Sequence, residues 1–130
     1  KTANVLFTVG LEARFAVRGI HAYAVHPGGI QTNLGRHMTP EMIETLMKRV
    51  TSSDAGFQWK TIPQGAATSC WAATAEELEG RGGLYCEDCH VAEVDDQSST
   101  GGVRSYALNP SFADRLWKLS EELTGARFPS

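Results

Sequence analysis

Ile20-His21-Ala22-Tyr23-Ala24-Val25-His26-Pro27-Gly28-Gly29-Ile30-Gln31-Thr32 is the stretch on which the fold class turns. Its first seven residues form a short, largely apolar run, stopped by a proline and two glycines. A strand with one wet face alternates polar and apolar side chains, so this run predicts a buried strand of a parallel sheet. Upstream, Ala3, Val5, Leu6, Phe7, Val9, Leu11, Ala13, Phe15, Ala16 and Val17 are too continuous for strand alternation and span too many residues for one strand. They predict a helix whose apolar side chains cover more than one stripe, so two of its sides need neighbours. Arg18-Gly19 ends it, with the glycine where a left-handed closing residue is wanted. A helix feeding a buried strand is the arrangement of an α/β domain.

The pattern continues downstream. Thr39-Pro40-Glu41 supplies a cap, a first-turn proline and a first-turn acid, and Ile43, Leu46, Met47 and Val50 then recur at helical spacing. A polar stretch from Thr51 to Lys60 leads to Thr61-Ile62-Pro63-Gln64, which has capping-box spacing and opens a helix rich in small residues from Gly65 to Thr74. Gly80, Gly82 and Gly83 precede a second strand, Leu84-Tyr85-Cys86, and Asp95 to Gly102 is a polar surface loop. Asn109-Pro110 starts the last helix, with Phe112, Leu116, Leu119 and Leu123 as its stripe and Gly125 as its stop. The prediction is α/β, with about two strands and four helices. Two parallel strands seldom stand alone, so further strands were either missed or belong outside these residues.

With 130 residues, 42% hydrophobic and 21% charged, one domain at most is expected. A formal net charge of −3 leaves no basic excess to neutralise a nucleic-acid backbone, so nucleic acid is not an expected partner. No run reaches the ~18–20 apolar residues of a membrane span, and no signal-peptide pattern is visible, so a cytoplasmic protein is expected. Three cysteines do not make a disulfide framework without leaving one thiol over.

Two segments could carry chemistry. Ligands of open α/β sheets bind beyond the carboxyl ends of strands, where residues 27–32 offer glycines for close backbone approach and the Thr32 hydroxyl; a plain turn has the same composition. Cys86-Glu87-Asp88-Cys89-His90 has the C-x-x-C-H spacing of c-type haem attachment, and a thiol-redox pair could share it, whereas zinc would need a fourth ligand beside Cys86, Cys89 and His90. Against a redox role, Glu87 and Asp88 would raise a neighbouring thiol pKa. A small thiol-redox or c-type haem protein using Cys86, Cys89 and His90 is therefore the alternative function. His21 and His26 are expected as core or rim histidines of the strand, His37 as a solvated loop residue, and Trp59, Trp71 and Trp117 as packing residues.

Taken in order, Lys1-Thr2-Ala3-Asn4-Val5-Leu6-Phe7, Gly19 to Gly28, Thr32 and Gly83-Leu84-Tyr85-Cys86 resemble the C-terminal half of a short-chain dehydrogenase/reductase. The flavour is that of the retinol-dehydrogenase-like and protochlorophyllide-reductase-like branch, and the Asn109–Gly125 helix fits it. The resemblance covers nearly the whole chain. It implies that residues 1–130 form the C-terminal half of a single NAD(P)-binding Rossmann domain, a doubly wound parallel sheet whose N-terminal half lies outside them. The implied function is an NAD(P)(H)-dependent oxidoreductase moving hydride between nicotinamide and a small lipophilic carbonyl or alcohol, with NADP ahead of NAD.

Lys1 matches the lysine of the family's Tyr-x-x-x-Lys motif, whose tyrosine would lie four positions upstream. The resemblance implies that Lys1 bonds the nicotinamide ribose and lowers that tyrosine's pKa. It also implies that Pro27 and Gly28 shape the cofactor loop, that the Ile30 backbone bonds the carboxamide, and that the Thr32 hydroxyl contacts carboxamide or pyrophosphate. The glycine-rich turn and catalytic serine would also precede Lys1, so residues 1–130 alone are expected to be inactive and to bind dinucleotide weakly. Core packing is the expected part of the helix of Ile43, Leu46, Met47 and Val50, since a stripe at helical spacing needs only a neighbouring apolar surface; the resemblance implies instead a substrate cover with Met38, Met42 and Met47 facing the substrate. A homo-oligomer through the first helix is a further expectation.

Overall fold

The computed structural model describes residues 1–30, 32–51, 58–97 and 101–128, with the side chains of Leu34 and residues 49–51 also outside the description. Helix α1 (Thr2–Phe15) runs into a single 3-10 turn, Ala16–Arg18, closed by Gly19 at φ 71°, the left-handed end expected of this glycine. Strand β1 (Tyr23–His26) follows, then α2 (Pro40–Thr51), α3 (Ile62–Thr74), β2 (Leu84–Glu87), β3 (His90–Val91) and α4 (Pro110–Thr124). Thr61 and Gln64 form the anticipated reciprocal capping box, and the Asn109 side chain accepts from the Ser111 and Phe112 N–H groups at the start of α4. Helix α3 therefore starts at Ile62, directly after its cap.

The sheet has the order β1-β2-β3. β1 and β2 are parallel, with Tyr23 opposite Leu84 and Val25 opposite Cys86, and β2 and β3 are antiparallel. Alternate side chains serve the two faces. Ala24 and Tyr85 pack with Val5 of α1 and with Ala92, Val103 and Ala107. Tyr23 and Val25 look toward Ala72 of α3, so helices cover both sides of an α/β sheet.

Two expectations change. β1 begins at Tyr23 rather than Ile20 and is half-buried rather than buried, because β2 is its only hydrogen-bonded neighbour among the described residues. β3 was not anticipated at all. It exists because Asp88 and Cys89, at φ 46° and 58°, form a two-residue turn with both centres left-handed, the geometry that matches the twist of a hairpin.

Asp tolerates that conformation better than cysteine does. Left-handed strain of roughly 1–2 kcal/mol exceeds the roughly 0.5–1 kcal/mol of chain entropy that glycine adds to the unfolded state. Cys89→Gly is therefore expected to stabilise the chain by about 0.5–1 kcal/mol. The bond from the residue-89 N–H to the Thr68 hydroxyl, 3.3 Å, survives the change. A urea midpoint that rises at unchanged slope checks this, and a lower midpoint contradicts it.

The doubly apolar α1 is covered on one side by β1 and β2 and on another by α4. Gly10 and Ala113 set how closely the two helices approach: a Cβ on Gly10 would stand 3.4 Å from Trp117 and 3.7 Å from the Ala113 carbonyl. α2 makes at most marginal contact with the other elements, and Met42, Ile43 and Leu46 are exposed. Among the described residues Ile43 and Leu46 are thus not packed in a core, Met47 is half-buried, and Val50, predicted to complete the stripe, lies outside the described side chains. No helix of the described residues is long and apolar enough to cross a membrane.

Candidate functional site

The chain leaves β1 at His26 and turns through Pro27, Gly28 and Gly29, with Gly28 at φ 86°. A side chain here would be strained, and its Cβ would also stand 2.8 Å from the Lys60 Cδ and Cε atoms. The segment is pinned from beyond. The Lys60 N–H donates to the Gly29 carbonyl at 2.9 Å, and Ile30 and Lys60 form a one-residue parallel bridge. The Lys60 ammonium in turn donates to the Asp88 carboxylate in the hairpin turn, which ties the β1 loop to the β2–β3 turn.

Two open cavities flank this loop. One, about 630 Å³, runs along the free edge of β1 and is lined by Lys1, Asn4, Tyr85, His26, Pro27 and Gly28, among others. The other, about 620 Å³, lies on the α3 side, with Gly28, Trp59, Lys60, Gln64, Thr68 and Asp88 among its walls. Both volumes suit a ligand-sized occupant.

Lys1, Pro27 and Gly28 thus share one cavity. Ile30 and Thr32 do not line it. The Ile30 side chain turns the other way and packs onto Gly65 in the first turn of α3, where a Cβ would come within 2.3 Å of its Cδ1. Thr32 is exposed, and its carbonyl accepts from the Gly35 N–H at 3.5 Å. Gln31, between them, lies outside the described residues.

The structure also brings in residues to which the sequence assigned no such part. Tyr85 reaches the first cavity from β2, its ring 6.4 Å from that of His26. Burial, then the Glu87 charge, pushes the Tyr85 phenol above its ordinary value. Lys60 and Asp88 border the second cavity, and the Lys60 ammonium holds the Asp88 carboxyl below the ordinary carboxylate range despite some desolvation. Trp59 is exposed on that cavity wall rather than packed in a core. The strand-end rule could locate the loop, but only register and the hairpin turn place these partners around it.

His26 is an exposed rim residue, as expected, and His21 is partly buried against the Glu12 carboxylate at 2.9 Å. The cysteine cluster takes a different form from a redox or haem site. Cys86 is wholly buried and burial pushes its thiol up, which disfavours the reactive thiolate, while Cys89 sits exposed in the hairpin turn. Among the described residues no group of three or more His, Cys, Asp or Glu side chains is placed to hold a metal ion.

No family model matches the chain. Individual proteins do. It is 40% identical over 122 residues to the short-chain dehydrogenase/reductase prx1 of Penicillium rubens, covering 92% of this chain and 35% of that protein. A probable oxidoreductase of Streptomyces lividans is 41% identical over 133 residues, with 97% and 43% covered. The short-chain dehydrogenase TIC 32 B, chloroplastic, of Brassica napus is 35% identical over 125 residues, with 95% and 34% covered. The chain thus spans about a third to two fifths of the length of these relatives. With helices on both faces of a parallel strand pair, a glycine loop at the carboxyl end of β1 and these matches along nearly all its length, the chain belongs to the short-chain dehydrogenase/reductase family.

Proposed function

We propose that these residues form the C-terminal half of a single Rossmann-type NAD(P)-binding domain in an oxidoreductase that moves hydride between a nicotinamide dinucleotide and a small lipophilic carbonyl or alcohol. The observation that carries this is the meeting of Lys1, Pro27 and Gly28 around one cavity at the carboxyl end of β1, where α/β sheets bind ligands. The fit is to the nicotinamide end: a loop bare of side chains at Gly28 and Gly29, an aromatic wall from Tyr85 and a cationic reach from Lys1. When bound, the dinucleotide supplies the hydride.

The chain's own residues bind and orient. The Lys1 ammonium donates to the ribose and favours ionisation of a nearby phenol. Pro27 and Gly28 hold the loop open, and the Ile30 backbone reaches the carboxamide while its side chain anchors the loop on Gly65. Thr32 would meet carboxamide or pyrophosphate only with the loop drawn inward from its exposed position. α2 offers the exposed Met42, Ile43 and Leu46 as an apolar cover for the substrate.

Titrating the chain with NADPH while following amide chemical shifts tests this. The expected shifts centre on Lys1 and on Gly28, Gly29 and Ile30, with a midpoint of about 1 mM or weaker, because residues 1–130 contain no G-x-G-x-x-G turn for the pyrophosphate. Shifts confined to residues 86–90, or none at 28–30, would overturn the assignment, and saturation at micromolar NADPH would overturn the expected weak binding.

A further inference from the structure

Pro27, Gly28 and Gly29 have no side chain that can hydrogen-bond, so the loop they form is fixed by groups outside it. Lys60 reaches that loop twice. Its N–H donates to the Gly29 carbonyl at 2.9 Å, and its stem lies against Gly28, where an added Cβ would stand 2.8 Å from Cδ and Cε and 3.0 Å from the ammonium nitrogen. The bareness of Gly28 thus makes room for Lys60 as well as for a ligand. Only 25% of the Lys60 side chain is exposed, and its ammonium ends on the Asp88 carboxylate.

Both ends of this bridge stand on fixed elements. Lys60 directly precedes Thr61, whose N–H donates to the Gln64 side chain in the capping box that starts α3. Asp88 is held in the two-residue turn between β2 and β3. The loop itself belongs to neither helix nor strand, so these two anchors decide where it lies. Gly28 is in the walls of both cavities that flank the loop, whereas Lys60 is in the wall of the second and not of the first. Its stem therefore fills the side of Gly28 that faces away from the first cavity, and a ligand can approach the bare backbone from the first cavity alone.

We propose that Lys60 is a positioning residue for the dinucleotide: its stem backs the loop at Gly28 and its ammonium, fixed on Asp88, keeps the bare face of the loop turned to the nicotinamide end in the first cavity. This rests on the nicotinamide reading of that cavity. The stem and the charge make separable contributions. Lys60→Met keeps the stem and removes the charge, and Asp88→Asn removes the charge's partner while retaining a residue that accepts the left-handed turn. Lys60→Ala removes stem and charge together, and Lys60→Arg keeps both.

Two measurements on the chain test this. Amide hydrogen exchange at residue 60, corrected for the intrinsic rate of each side chain, reads the hold on Gly29 without any cofactor, and NADPH titration followed at Gly28 and Gly29 reads binding. Lys60→Met and Asp88→Asn are expected to speed the exchange roughly two- to fivefold, the worth of a partly exposed ion pair. Lys60→Ala speeds it further. It also weakens the NADPH midpoint roughly two- to tenfold at an unchanged far-UV CD spectrum, because the ligand then has to order the loop itself, and it lets the shifts spread to Gln64 and Thr68 of the second cavity. Lys60→Arg matches the unaltered chain in both measurements. An NADPH midpoint that Lys60→Ala leaves unchanged, or a Lys60→Arg chain as weak as Lys60→Ala, overturns the inference and leaves the nicotinamide reading standing. Exchange that responds as expected in a chain whose Gly28 and Gly29 shifts ignore NADPH overturns the nicotinamide reading, and the part of Lys60 in binding with it.

Discussion

Trp117→Ala is expected to lower the stability of the chain by about 3–5 kcal/mol, the cost of truncating a large buried aromatic. That is a large part of the roughly 5–15 kcal/mol that a whole domain possesses, so the urea midpoint is expected to fall steeply. Trp117 is only 7% exposed and is the one large side chain that α4 buries against α1. Phe7 stacks on it at 5.5 Å between centroids and 8° between planes, Phe15 tilts against it at 6.2 Å, and Phe128 meets it edge-on at 6.4 Å. The Arg14 guanidinium lies 4.4 Å above its ring and bonds Asp114 at 2.8 Å, so removal of the ring also loosens the cation that bridges the two helices. That ion pair does not compensate, because the Asp114 side chain is 44% exposed and such pairs contribute little. Urea unfolding followed by far-UV CD measures the loss, with Val17→Ala, at a residue 95% exposed, expected to stay within about 0.5 kcal/mol. A Trp117→Ala loss below about 1 kcal/mol would mean that α4 is not held on α1 by this cluster.

The parts of the fold readable in advance were those whose causes are local. Asn109-Pro110 and the Thr61–Gln64 box set helix starts through bonds between residues at most three apart, and Gly19 and Gly125 end helical segments through their own backbone angles. The β3 strand was hidden because His90-Val91 is too short for any periodicity and its turn, Asp88-Cys89, lacks the glycine that marks such hairpins. The overlapping stretch from Cys86 to His90 offered a C-x-x-C-H spacing, and only the structure shows that Cys86 is buried in β2 while Cys89 is in a turn. At the site, Pro27 and Gly28 followed from a strand-end rule that needs no partner. Lys60, Trp59 and Tyr85 did not, because each reaches the loop from about thirty or more positions away in sequence, through the Ile30–Lys60 bridge or the β1–β2 register.

Gly65→Val, the second large effect, is expected to cost about 2–3 kcal/mol and to disturb the β1 loop along with the fold. By helix propensity alone, glycine in the first turn of α3 is a poor choice, and alanine would gain up to about 1 kcal/mol. Packing reverses the preference. Gly65 is buried, and an added Cβ would stand 2.3 Å from Ile30 Cδ1 and 2.7 Å from Cγ1, with Ile30 Cβ 3.8 Å away, so the isoleucine has to leave its seat before any side chain fits. Alanine forces that shift with one carbon, and valine adds a branch that α3 cannot rotate clear of. Ile30 follows the Pro27–Gly29 turn directly and is bridged to Lys60, so displacing it strains the bond from the Lys60 N–H to the Gly29 carbonyl. Loss of chemical-shift dispersion at Gly28 and Gly29, together with the drop in urea midpoint, is the expected signature. Ile30→Ala is expected to cost stability by itself yet to recover about 1 kcal/mol or more when combined with Gly65→Val, because the two residues compete for one volume. Independent, additive costs would mean that Ile30 is not seated on α3, and the loop that carries the proposed nicotinamide contacts would then lack its anchor.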